Sequence, residues 1–138
     1  GAGTLMPKSN FLRDALLDHQ LGGPDFTRPA TVYFALYTVA PTSAGGGTEV
    51  SGNNYSRVGV LNNLTNFPAA SGGLKSNGTS ITFPTPSAGG WGLVLAFGIF
   101  DALTGGNFLR FGALTVPKTL DQDDEVVFQP GDLDCTEA

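Results

Sequence analysis

The side chains able to do chemistry are few and stand apart. The single histidine, His19, follows Asp18 in "LLDHQLGG". A serine or cysteine nucleophile needs such a base within hydrogen-bond reach. No G-x-S-x-G elbow occurs, and the nearest stretch, "TEVSGNN", lacks the upstream glycine. His19 is therefore expected to be a surface residue of a helix. Cys135 is the only cysteine, so no internal disulfide can form. It is expected as a free thiol on a frayed tail, with an intersubunit bridge as the alternative. One histidine and one distant cysteine make no zinc spacing. "DQDDE" (121–125) is the only acidic cluster, but it lacks the glycine and distal glutamate of a calcium loop, and a solvated turn is expected. Glu49, Asp101 and the 121–125 acids could in principle face one another across a glycosidase cleft, although nothing in their spacing requires it. The glycines of "AGGGTEV" and "SAGGWG" do not follow the strand–G-x-G-x-x-G–helix order of a dinucleotide site. The sequons at Asn54, Asn63 and Asn77 are what a chain rich in Asn, Ser and Thr produces by chance. No catalytic residue, metal or cofactor is expected.

The elements that would position these residues are mostly strands. One segment, residues 9–23, has helical spacing: Phe11, Leu12, Ala15, Leu16 and Leu17 recur on one face. Ser9 or Asn10 can cap it, Gly22 and Gly23 can end it, and Pro24 forbids continuation. From Thr31 the pattern changes. "TVYFALYTV" (31–39) is β-branched and aromatic on both faces, as a central strand should be. Further strands are expected at 55–61, 81–83, 91–100 and 107–116, with one more, and part of another, in "DEVVFQPGDLDC". The oily stretch "WGLVLAFGIFDALTGGNFLRFGAL" (91–114) predicts a hairpin turning at "TGG", where Gly105 and Gly106 supply positive φ. Gly92, Gly98 and Gly112 are expected at bulges or beneath a large ring such as that of Trp91. The fold class expected is all-β, an antiparallel β-sandwich or flattened barrel with one N-terminal α-helix. The domain plan is an arm (1–8), the helix (9–23) and a single β-sandwich domain (24–138).

Composition narrows the function. The chain has 138 residues, 41% hydrophobic and only 14% charged, with a formal net charge of −5. Its seven Lys and Arg residues are scattered, so no basic stripe is available to track nucleic-acid phosphates. No apolar run approaches the roughly 20 residues of a spanning helix, so membrane insertion is not expected. "GAGTLMPKSN" lacks the basic and apolar regions of a signal peptide. Sparse charge suits surfaces that meet other protein.

Several blocks in order resemble a family of small bacteriophage virion proteins, described as tail-fibre-like or minor structural proteins. They are "FLRDALLDHQLGG", "PATVYFALYTVAPT", "GTEVSGNNYSRVGV", "NFPAASGGLKSNGTSITFPTP", the 91–114 hairpin and "DEVVFQPGDL". The resemblance runs from about residue 9 to 133 and leaves "GAGTLMPKS" and "DCTEA" outside it. It implies a non-enzymatic phage virion structural protein, located in the virion and assembled in the bacterial host cytoplasm. A capsid cement or decoration protein is the first expectation; a tail-fibre, neck or tail-tip protein with a host-recognition role, carried by loops 41–54 and 62–79, is the alternative. The expected partners are copies of itself, a trimer being one form that suits a capsid lattice, and the major capsid or tail proteins of the same particle. The arm and helix are expected to reach a neighbour through Leu5, Met6, Phe11, Leu12 and Leu16, with Trp91 as either a core or a subunit-contact anchor. Asp101 is expected to cap the hairpin turn through its own backbone, and Glu49 and Arg57 to pair across strands as a solvated bridge of little weight.

Overall fold

The computed structural model describes residues 4–136. The strand with the densest run of β-branched and aromatic residues, β2 (Thr31–Val39), lies at the centre of the larger sheet. β7 (Gly92–Phe100) pairs antiparallel along one edge of it, and β8 (Phe108–Leu120) pairs with β7 through the expected hairpin. The other edge of β2 is shared end to end by two short strands. β4 (Val58–Leu61) takes residues 31–34, and β3 (Thr48–Glu49) takes Tyr37 and Val39. The side chains of Phe34, Ala35 and Leu36 are fully buried, which is why both faces of this strand are apolar.

Against this sheet stand two smaller ones. β10 (Leu133–Thr136) runs parallel to β1 (Thr4–Leu5) and antiparallel to β5 (Leu74–Ser76). β6 (Ile81–Thr82) pairs with β9 (Val127–Phe128). Between the layers lies one core built on Phe34, Leu36, Phe97, Ile81, Leu120 and Leu133. Each such side chain contributes about 1.5–3 kcal/mol by leaving water. The fold is therefore the expected all-β sandwich, open rather than closed into a barrel, with one parallel pairing at β1–β10.

The helix α1 (Asn10–Gln20) begins at Ser9, whose buried hydroxyl does two jobs. It accepts the Leu12 N–H at 3.1 Å and donates to the Phe108 carbonyl at 2.6 Å, so the cap also fastens the helix to β8. Leu12 and Leu16 face the core, whereas Phe11, Leu17 and Leu21 are exposed.

Both chain ends differ from expectation. Residues 4–8, expected as an arm, are stitched into the domain: β1 pairs with β10, Met6 is buried, and the Phe111 N–H donates to the Pro7 carbonyl. Residues 1–3 lie outside the described residues. Cys135 is not on a frayed tail. It sits in β10 opposite Lys75, half-buried against the core. Gly112 explains how the N-terminal segment comes so close. A Cβ there would collide with the Leu5 carbonyl oxygen and lie 2.7 Å from the Phe97 ring. In the hairpin, the rings seated on glycine are thus Phe97 at Gly112 and Tyr37 and Phe108 at Gly98, not Trp91.

Candidate functional site

The densest polar cluster forms where β3 and β4 fail to meet along the edge of β2. The gap leaves the Leu36 N–H without a ladder partner. The Tyr55 hydroxyl fills it, accepting that N–H at 3.0 Å and donating to Glu49 Oε2 at 2.6 Å. Val50 N–H completes the repair by donating to the Leu36 carbonyl at 2.9 Å. Arg57 meets Glu49 side on: Nε reaches Oε2 and Nη2 reaches Oε1, each at 2.9 Å. Its third nitrogen, Nη1, donates to the carbonyls of Ala102 and Gly105 in the hairpin tip, also at 2.9 Å. The guanidinium carbon lies 3.6 Å above the Phe100 ring centroid, a cation–π contact.

This pair is not the solvated bridge expected from the sequence. The Arg57 side chain is only 9% exposed and that of Glu49 25%. The reason is the hairpin tip, which folds over Arg57 and supplies two carbonyls and a ring. Electrostatics follow the geometry. Burial works against the Arg57 charge, but hydrogen bonding and attraction from Glu49 prevail and its pKa lies above the ordinary value. Burial, then the hydrogen bond to Glu49, raises the Tyr55 pKa well above that of a free phenol. Burial, then the Glu49 charge, pushes Tyr37 up to about 12.

A shallow groove of about 400 Å³ opens beside the cluster, lined by Glu49, Ser51, Tyr55, Arg57 and Thr104. Its chemistry is that of a clasp. The Glu49 carboxylate is gripped by a bidentate guanidinium and a phenol, and Arg57 spends its nitrogens on Glu49 and two carbonyls. Asp101, another acid considered for a cleft, is equally committed: Oδ1 accepts the Asn107 N–H at 2.7 Å and Oδ2 the Asn107 side-chain amide at 2.9 Å. Asp101 does cap the turn, by gripping the residue at its far end rather than its own backbone. The clasp ties β3, the 52–57 segment and the β7–β8 tip into one unit.

The remaining candidates are scattered. His19 Nδ1 accepts the Phe26 N–H at 3.0 Å and so anchors the chain where it returns from the helix. Within 121–125, Asp124 Oδ2 accepts the Asp121 N–H, a turn closed by its own carboxylate. Among the described residues, no group of three or more His, Cys, Asp and Glu side chains is placed to hold a metal ion. No helix among them is long and apolar enough to cross a membrane.

Of the six contact residues expected, the structure does not bring all to the surface. Met6, Leu12 and Trp91 are each 6% exposed and face the core, and Leu16 packs against it. Leu5 and Phe11, at 58% and 45%, present their side chains outward. Trp91 resolves to the core member of its two alternatives: its indole N–H donates to the Asn53 carbonyl at 2.8 Å, and its ring meets Tyr55 edge on.

Sequence reasoning missed the buried polar brackets. Asn77, 3% exposed, donates to the carbonyls of Thr79 and Gln129 and accepts the Leu133 N–H, joining β5 to β10 across 56 residues of chain. Its sequon is accordingly closed to a glycan. The "NG" dipeptide was the only signal, and it marks turns and brackets alike.

No curated protein matches the chain. A family model does, over residues 7–136. That span takes in the helix, the clasp, the hairpin and β10 alike, so the chain belongs to the family described as Podophage GP4 fiber I protein gp80.

Proposed function

We propose that this chain is a non-enzymatic structural subunit of a phage fibre, seated at the neck or tail of the particle rather than spread over its capsid. The observation that carries this reading is the fibre family itself, matched across nearly the whole chain. The capsid cement role expected first from the sequence has no counterpart in that match, and the fibre alternative takes its place. The site chemistry supports a structural role. The acids at positions 49 and 101 are spent on holding segments together, and the hairpin that looked most unusual in sequence is core. Loops 41–54 and 62–79 are each pinned by a short strand, β3 and β5, while most of their length faces solvent. They are the parts offered to a receptor or to a neighbouring virion protein.

Copy number and position test this. A fibre subunit is present in small numbers set by a cyclic axis, whereas a cement protein repeats over the shell on the order of hundreds of times. Quantitative mass spectrometry of purified particles, with antibody labelling seen by electron microscopy, is expected to give few copies at one vertex. Labelling over the whole capsid would overturn the reading.

A further inference from the structure

Two neighbouring cavities of this molecule carry opposite charge. The first is a groove of about 540 Å³ between α1, the 24–29 segment and the β7–β8 tip. Asp14, Asp18, Asp25 and Asp101 line it with Phe11 and Phe26, and no Lys or Arg does. Arg13 pairs with Asp14 at 2.9 Å, whereas Asn107 is a neutral partner that leaves the Asp101 charge in place, so Asp18, Asp25 and Asp101 carry most of the groove's field. The second, of about 190 Å³, has apolar walls that include Leu12, Val32 and Phe67, and three bases among its lining, Arg28, Lys75 and Arg110, the last of which donates to the Met6 carbonyl at 2.7 Å. Phe26 and Pro29 line both cavities, so the two flank the same short segment.

This segregation is not a by-product of composition. Bases are scarce in the chain, seven in all, yet three of them ring one apolar cavity. Within the acidic groove, Phe11 stands 45% exposed and Phe26 lines the wall, so apolar surface accompanies the charge. A polyanion drawn to the basic rim would be repelled by the adjacent groove, and a polycation drawn to the groove would be repelled by the rim. The fitting partner presents both signs side by side, with apolar surface between them. The chain itself does so.

We propose that the paired cavities are a self-association surface, in which the acidic groove of one copy receives the basic, apolar-walled rim of another. Each copy carries both halves, so the contact repeats around a closed ring or closes as a pair. It holds whether the assembly stands on the tail, the neck or elsewhere on the particle.

The test is sedimentation velocity on the full chain at about 50 and about 500 mM salt, between which charge-steered contacts weaken through screening. Two double variants divide the surface: Arg28→Glu with Lys75→Glu, and Asp18→Lys with Asp25→Lys. Each alone is expected to weaken association at least about tenfold, because like charges then face one another. Mixed together the two variants are expected to associate again, since each supplies the sign the other lost. Wild-type copies in a mixture of heavy and light isotopes give a reading independent of variant folding: a carbodiimide cross-link from Lys75 to Asp18 or Asp25 must join a heavy to a light chain. A wild-type protein that stays monomeric at both salts, variants that stay apart on mixing, or cross-links confined within one chain would each overturn the proposal. So would a monomer that loses binding to a different virion protein when the rim is reversed.

Discussion

Replacing Glu49 by alanine tests whether the clasp is structural. The change leaves the Arg57 guanidinium, 9% exposed, facing no anion, and takes the acceptor from the Tyr55 hydroxyl. Removing one partner of a buried ion pair costs about 3–5 kcal/mol. Glu49 is a quarter exposed, and water can enter where its carboxylate stood, so the figure is reduced for screening to about 2–3 kcal/mol. Arg57 keeps the Ala102 and Gly105 carbonyls and the Phe100 ring, which limits the loss further at the tip. For a chain of this size about 1 kcal/mol lowers Tm by roughly 3–5 °C, so the variant is expected to melt roughly 6–15 °C below the parent. Urea unfolding followed by circular dichroism measures the free energy directly, with the slope checking that the unfolded state is unchanged. Tyr55→Phe is the companion: it keeps the ion pair but orphans the Leu36 N–H in the gap between β3 and β4, a loss of about 1–3 kcal/mol. A Glu49→Ala variant within about 0.5 kcal/mol of the parent would refute the reasoning, because that is the range of a bridge already in water.

Three further outcomes follow from the same contacts. Deleting residues 1–21 removes Met6, Ser9 and Leu12 from the core and β1 from β10, and truncating either apolar side chain alone costs about 2–5 kcal/mol; the deleted protein is expected to lose cooperative unfolding in calorimetry, and a normally folded one would restore the free-arm picture. Gly112→Ala places a methyl group against the Leu5 carbonyl and the Phe97 ring, so amide exchange at residues 4–8 is expected to rise while β2 and β7 stay protected; unchanged exchange at the N-terminal segment would contradict the close approach. High pH is expected to destabilise the fold. A tyrosine whose folded pKa is raised keeps its proton in the folded chain while the unfolded chain ionises from about pH 10. Stability is therefore complete below about pH 10 and falls as pH rises toward 12, by about 1.4 kcal/mol per unit for each of Tyr37 and Tyr55. Urea midpoints across that range measure the slope, and a flat response would mean that neither phenol is held protonated.

The parts of the fold legible in the sequence are those whose side chains report burial by their own pattern. "TVYFALYTV" marks β2 to the residue because its centre, Phe34 to Tyr37, is buried on both faces and the β-branched Thr and Val at its ends continue the strand pattern. The helix is marked by Ser9 at its start and the glycines after it, each of which does something only that position requires. β1, β3 and β5 are two or three residues long, too short for any alternation to appear. They exist because longer strands leave edges to be paired, and the sequence of the short strand does not carry that information. Met6 and Leu12 show the same limit from another side. An apolar residue near a chain end suits an outward contact and an inward one equally, and only the parallel pairing of β1 with β10 turns Met6 inward.

The clasp was half legible for a related reason. Glu49 and Arg57 could be named as partners eight positions apart, whereas nothing in the sequence joined Tyr55 to them, and the strength of the pairing depends on what covers it. The cover comes from Phe100, Ala102 and Gly105, more than 40 residues away, brought over by a hairpin whose own turn is set by Asp101 and Asn107. Removing one partner of an ion pair costs about a few tenths of a kcal/mol in water and several times that once two carbonyls and a ring displace the solvent, because the remaining charge is left uncompensated. The oily hairpin thus serves twice. One of its strands fills the core with Phe97 and Ile99, and its polar tip converts a surface bridge into the fastening that holds the β3–β4 edge closed.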